Sequence, residues 1–218
     1  MLAIFKREFK SYFQNVIGWL FVAALLAVYG LYFYVYNLKN GYPYISYDLK
    51  GIGFIMMIAV PILTMRSLSD EKKTKTDQLM LTSPVSVGRI VAGKYLAMAA
   101  VYTIDIALFV LSPLVLSIYG KVALSEAYVA LFGYWLYGLS CIAVGLFISS
   151  ISESVIISAI LTFAALFLSY MMQSITGLIS SSGNLLTKVL NCFDLYTPFE
   201  NFVSGCFSVT SAAYYVTV

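Results

Sequence analysis

Residues Val16 to Tyr36 read VIGWLFVAALLAVYGLYFYVY, twenty-one positions without a charge. A helix of that length rises about 30 Å, the thickness of a bilayer's hydrocarbon core. Four further stretches are long and apolar enough to do the same: Gly51–Leu68, Ile90–Tyr119, Tyr128–Ser149 and Val155–Leu178. Gly, Pro, Asn, Ser or charge separates each from the next, the usual punctuation between helices. The whole chain agrees, with 61% hydrophobic and 11% charged residues and a mean hydropathy of +0.89. Soluble domains sit near about 45–50% and 25%, so the solvent these surfaces require is lipid. A sixth apolar run starts near Val209 and stops at Val218. Such a run rises only about 15 Å, which predicts a native chain continuing for roughly one more span. The expected fold is an all-α membrane protein, a six-helix transmembrane bundle with its last helix truncated.

The basic residues orient the bundle. Lys6, Arg7 and Lys10 precede the first span, and Arg66, Lys72, Lys73, Lys75, Arg89 and Lys94 fall between the second and third. The opposite loops hold only Lys39, Lys50, Lys121 and Lys188. This bias predicts a cytosolic N-terminus and a cytosolic 66–94 loop. Leu2, Phe5, Phe9, Tyr12 and Phe13 recur at helical spacing, with Lys6, Arg7, Glu8 and Lys10 largely between them. Residues 1–14 are therefore expected to form an amphipathic interfacial helix; the plainer alternative is a cytosolic cap on the first span. Residues 15–218 form the transmembrane domain, with a cytosolic loop at 66–89. The outer segment 179–207 mixes Leu185, Leu186, Val189, Leu190, Phe193 and Phe199 with Ser, Asn and Gly. That mixture suits short helices folded back onto the outer membrane face.

Little in the chain supports catalysis. Histidine is absent, which removes Ser-His-Asp and Cys-His centres, the usual zinc sites and HExxH proteases. Cys141, Cys192 and Cys206 form no CxxC pair. Cys192 and Cys206 share the presumed outer side and are either paired or two free thiols. Gly88-Arg89-Ile90-Val91-Ala92-Gly93-Lys94-Tyr95 nearly fits a phosphate-binding loop. It ends in Tyr where a magnesium-holding Ser or Thr is needed, and no strand precedes it. Arg89 and Lys94 read better as basic anchors near anionic lipid. An intramembrane aspartyl enzyme needs two facing acids, and Asp105 is alone at depth, roughly 22 Å along the third span. A carboxylate there costs about 2.5–3.5 kcal/mol even on the lenient insertion scale. Asp105 either lines a translocation path or is held structurally by Tyr or Ser hydroxyls, or by protonation. Pro113 is expected to kink the same span. Ser152 and Glu153 are expected as N-cap and first-turn acid of the fifth span, suited to its helix dipole, with a second cytosolic contact as the functional alternative. No basic surface suggests nucleic acid.

The segment Met65-Arg66-Ser67-Leu68-Ser69-Asp70-Glu71-Lys72-Lys73-Thr74-Lys75-Thr76-Asp77-Gln78-Leu79-Met80-Leu81-Thr82-Ser83-Pro84 leaves the membrane through a charged helical end. A short helix over about Thr76–Thr82 then stops before Pro84. Leu79, Met80 and Leu81 are apolar in a polar loop, so they need a partner, either the lipid interface or a groove on another protein.

With the N-terminal helix, Pro61-Ile62-Leu63-Thr64-Met65-Arg66-Ser67-Leu68, the stretch 76–84, Ser149-Ser150-Ile151-Ser152-Glu153 and Pro198-Phe199-Glu200-Asn201-Phe202-Val203-Ser204-Gly205, the chain resembles a known family. It is similar to the permease subunits of type-2 ABC exporters, in the branch of the gliding-motility and nitrous-oxide-reductase-maturation permeases. It departs from them at Lys75, where the family usually has Gly, and at Gln78, where it has Glu. The resemblance implies that 76–84 is a coupling helix docking into a separate ATPase subunit, with Glu71, Thr76, Leu79, Met80, Leu81, Thr82 and Pro84 as coupling residues. It also implies a second permease, identical or related, in the lipid bilayer. The chain itself would hold no cofactor and no metal, and would not be an enzyme, since ATP and magnesium would sit on the partner ATPase. A non-transporting membrane scaffold is the alternative.

Overall fold

The computed structural model describes residues 2–75, 86–179, 193–205 and 207–217, and every regular element among them is helical. Helix α1, Leu2–Gln14, is followed after Asn15 by α2, Val16–Tyr32, which runs on as a π-helical segment, Phe33–Lys39. Then come α3 (Ser46–Thr64), the short α4 (Ser69–Lys73), α5 (Val87–Phe109), α6 (Leu111–Tyr119) and α7 (Leu124–Ile151). Helix α8 (Val155–Ile179), α9 (Thr197–Val203) and α10 (Val209–Thr217) complete the order. Five helical stretches are long and apolar enough to cross a membrane: Val16–Lys39, Ser46–Lys73, Val87–Tyr119, Leu124–Ile151 and Val155–Met172. They overlap the five spans expected from hydropathy. The described part of α10 has nine residues, too few to cross.

Helices α3 and α7 form the centre. Leu49, Ile52, Met56, Val60 and Leu63 recur every three or four residues along α3 and are fully buried, as are Ala130, Tyr134 and Cys141 along α7. Lipid tails are as apolar as leucine, so burial alone does not drive such helices together; close packing does. Gly145 shows how close. A Cβ on it would lie 2.5 Å from Thr64 Oγ1, so any side chain there would push α7 off α3. The outer helices differ. The spans of α2 and α8 are 28% and 22% buried, against 56% for those of α3 and α7. Trp19, Leu20 and Leu31 on α2, with Ile156, Ile157 and Ile160 on α8, face outward.

Two local features carry out what the sequence foreshadows. The third span breaks at Val110, between α5 and α6, three residues before Pro113. Proline has no N–H for the Phe109 carbonyl, and Ser112 Oγ donates to that carbonyl instead, at 2.7 Å. At the other end, Asp194 accepts hydrogen bonds from the backbone N–H groups of Tyr196 (3.0 Å) and Thr197 (2.9 Å) and starts α9. Phe199 and Phe202 of α9 are fully buried, and Gly205 closes the segment with φ +79°. The Pro-Phe-x-x-Phe-x-x-Gly pattern is thus a short helix with two aromatic anchors sunk among α3 and α7. Tyr137, Tyr196 and Phe199 stack there, with ring centroids 5.3–6.3 Å apart.

Candidate functional site

Much of the polar chemistry among the described residues gathers at the end of the bundle where α3 exits and α5 begins. Helix α3 finishes at Thr64, whose hydroxyl donates back to the Val60 carbonyl at 3.0 Å. The turn that follows brings Leu68 and Ser69 against the far end of α7. Both their backbone N–H groups donate to Ser149 Oγ, each at 3.2 Å. One hydroxyl therefore satisfies two donors that open α4. The Lys72 ammonium donates to the Ser150 carbonyl, so α4 is fastened to α7 at both ends.

Lys94 is the pivot. It lies on α5 in the series Ile90, Lys94, Met98, Val101, Tyr102, Asp105, the helix's buried face, and its side chain is 2% exposed. The ammonium donates to the Ser67 carbonyl at 2.8 Å and to Glu71 Oε1 at 2.7 Å. Glu8 Oε1 of α1 lies 3.5 Å away. Arg7 closes the ring, 2.7 Å from Glu8 and 3.8 Å from Glu71. Two cations and two carboxylates thus bind three segments that are distant in sequence: α1, α4 and α5. A buried ammonium requires such partners, because desolvation costs several kcal/mol per ion. Tyr12 borders the cluster and its hydroxyl donates to the Leu63 carbonyl at 3.4 Å. Burial, and next the charge of Glu8, push the Tyr12 phenol well above its ordinary range, so it stays neutral. A polar cleft of about 480 Å³ opens between α1 and α4, lined also by Arg66 and Asp70.

This corrects the reading of Lys94 as a lipid anchor. The ammonium is turned into the protein, and its counter-charges come from other helices. The sequence signal that could have found it is its place one turn after Ile90 and one before Met98, on an apolar stripe. Arg89 is exposed.

The last described residue before the loop's centre is Lys75. It has φ +56°, the left-handed region that favours glycine. Its N–H donates to the Lys72 carbonyl at 3.1 Å, the closing bond of a helix C-terminus that normally ends on glycine. The departure at Lys75 from the resembled pattern is therefore a departure at a position with a backbone reason for Gly. Thr76, Leu79, Met80, Leu81, Thr82 and Pro84 lie outside the described residues, as do Gln78, Cys192 and Cys206.

The other candidates fall apart from the cluster. Ser152 is the C-cap of α7, in extended backbone with φ −89° and ψ 136°. Its hydroxyl donates to the Ser154 carbonyl at 3.1 Å. Helix α8 starts at Val155, where the expected span also begins, the Ser154 carbonyl accepts its first bond from Ser158 N–H at 2.9 Å, and Glu153 lies exposed before it. Ser152 is therefore not the N-cap of α8, whose first backbone bond ends on Ser154. Asp105 is fully buried within the bundle, and neither carboxylate oxygen has a hydrogen-bond partner among the described residues. Of the alternatives for Asp105, bonding to a Tyr or Ser hydroxyl is not seen among the described residues.

Three comparisons with known proteins bear on this arrangement. A family model described as ABC-2 family transporter protein matches residues 33–216. No curated protein matches the chain, and no solved structure does.

Proposed function

Because the chain belongs to the ABC-2 family of transporter proteins and is a multi-pass membrane permease subunit of an ABC transporter, we propose that it serves an exporter. In this reading it pairs with a second permease and takes its driving force from ATPase subunits docked at 66–89. The N-terminus and that loop face the cytosol of a bacterial cell, and α1 lies at the membrane interface. ATP and magnesium are held by the ATPase; this chain contributes no hydrolytic group, cofactor or metal. The motifs at 61–68, 149–153 and 198–205 support the branch of the gliding-motility and nitrous-oxide-reductase-maturation permeases.

The observation that carries the proposal is the fastening of the loop's root. A segment that receives force from a partner must pass it on without slack, and α4 is tied by Lys94, Ser149 and Lys72 to α5, α1 and α7. Glu71 is the loop's anchor to the bundle, and Leu79, Met80 and Leu81 are its contact with the ATPase. The outward faces of α2 and α8 supply surface for the second permease. Asp105 is the candidate polar group of the translocation path, and Ser152 and Glu153 offer a second ATPase contact.

Co-purification tests the proposal. The chain in detergent is expected to bring down an ABC ATPase, and deletion of Leu79–Leu81 is expected to abolish the association or uncouple ATP hydrolysis from the permease. Unchanged association and unchanged stimulated hydrolysis after the deletion would rule out the coupling reading. Failure to recover any ATPase with the intact chain would leave a scaffold as the better account.

A further inference from the structure

A groove of about 780 Å³ runs down the membrane-embedded side of the bundle, between α5 and α7 and under the start of α1. It extends from Tyr95 to Ala107 along α5, about 18 Å at the helical rise. That is close to the roughly 15 Å depth of one leaflet's hydrocarbon. Its volume falls within the about 300–1,000 Å³ of ordinary ligand sites.

The chemistry of the lining restricts the occupant. Its polar side chains are all engaged already. Thr103 Oγ1 donates to the Ala99 carbonyl at 2.7 Å and accepts from Trp135 Nε1 at 3.2 Å. The Tyr95 hydroxyl donates to the Leu139 carbonyl at 3.3 Å. A peptide or sugar laid there would lose water and find no partner for its own polar groups. An alkyl chain has none to lose. At the mouth, α1 lends Leu2 and Phe5 to the lining. Lys6 follows Phe5 directly, one turn on from Leu2, and both it and Lys10 are exposed. The sole acid of α1, Glu8, is taken up by Arg7 and Lys94. The exposed charge of the helix that covers the mouth is therefore cationic.

We propose that this groove seats one acyl chain of an anionic phospholipid from the surrounding bilayer, its headgroup held at the rim by Lys6 and Lys10. The site thereby makes α1 sensitive to the membrane's anionic lipid content. Each lysine near an anionic surface contributes about 1 kcal/mol, so one of them already corresponds to roughly fivefold selectivity.

The chain carries only two tryptophans, and one, Trp135, lines the groove. Trp19→Phe leaves it as the sole reporter. The protein is reconstituted in phosphatidylcholine vesicles containing a minor fraction of phosphatidylglycerol with dibrominated acyl chains, or the same fraction of dibrominated phosphatidylcholine. Brominated phosphatidylglycerol is expected to quench Trp135 at least about fivefold more effectively per mole, and Lys6→Gln with Lys10→Gln should remove that preference. Ala107→Phe, which fills the deep end, should lower quenching by both lipids. Equal quenching by the two lipids would overturn the proposal and leave ordinary boundary lipid. Quenching by neither would also overturn it, with a protein surface, such as a second copy of this chain, covering the groove.

Discussion

Replacing Lys94 with methionine keeps the stem's volume and removes the charge on which the cluster turns. At an effective dielectric of about 20, the 2.7 Å contact with Glu71 and the 3.5 Å contact with Glu8 are attractions of roughly 6 and 5 kcal/mol before desolvation is counted. Desolvation of the ammonium and of two carboxylates cancels much of this, so the intact cluster adds little net stability. Its disruption is another matter. Methionine leaves Glu8 and Glu71, with side chains 15% and 19% exposed, beside each other and Arg7 without the buried ammonium between them. The Ser67 carbonyl also loses its donor. Removal of one partner from a buried pair costs about 3–5 kcal/mol, which at about 2–4 °C per kcal/mol for a chain of this size lowers Tm by about 6–20 °C. Cys141 is fully buried and reports unfolding through a thiol-reactive dye in a Cys192→Ser, Cys206→Ser background. Adding Glu71→Gln to Lys94→Met should restore part of the loss, a coupling of about 0.5–3 kcal/mol. Hydrogen exchange should rise along residues 2–14 as α1 loses its tether. A Tm within 2 °C of the parent, with unaltered exchange in α1, would refute the argument that Lys94 holds these segments together.

Three further outcomes follow from the same geometry. Ser149→Ala strips the shared acceptor from the N–H groups of Leu68 and Ser69 and should cost about 1–3 kcal/mol, with faster exchange at those two amides as the local readout. Lys75→Gly relieves a left-handed backbone and should stabilise by about 1 kcal/mol, seen as a rise in Tm, whereas Lys75→Val should lower it. Asp105→Asn replaces a buried carboxylate by a neutral group of the same shape, and no hydrogen bond among the described residues is lost. Its Tm should hold or rise, and a fall of several degrees would mean that the carboxylate has a partner.

The spans were legible because crossing lipid is a demand that each helix meets alone. Hydropathy along Val16–Tyr36 or Tyr128–Ser149 needs no knowledge of neighbours. The cluster at the loop end was not legible, although its residues were in plain view. A lysine near a span's end is usually drawn toward headgroups, and only the identity of its neighbours in space turns Lys94 inward. Those neighbours, Glu8 and Glu71, stand on helices whose arrangement no local pattern specifies. Ser152 failed for a different reason: α7 runs on through Ile151, so Ser152 ends that helix and does not open α8. Boundary shifts of this size are common. Lys75 is the opposite case, since the glycine expected there from resemblance marks a backbone angle that the fold does adopt.

The cluster has a consequence for how the protein is made. Arg7, Glu8, Glu71 and Lys94 all belong to the first 94 residues, so the ring can close once α5 has begun to enter the membrane, before α7 and α8 have been synthesised. Chains that assemble from the N-terminus as they emerge acquire order early in this way. The α1–α5 half then offers Leu68 and Ser69 as a preset receptor for Ser149, and the later helices dock onto a finished edge. Substitutions in the ring should therefore be felt first as loss of membrane-inserted yield during biosynthesis, and those at Ser149 as loss of a late docking step.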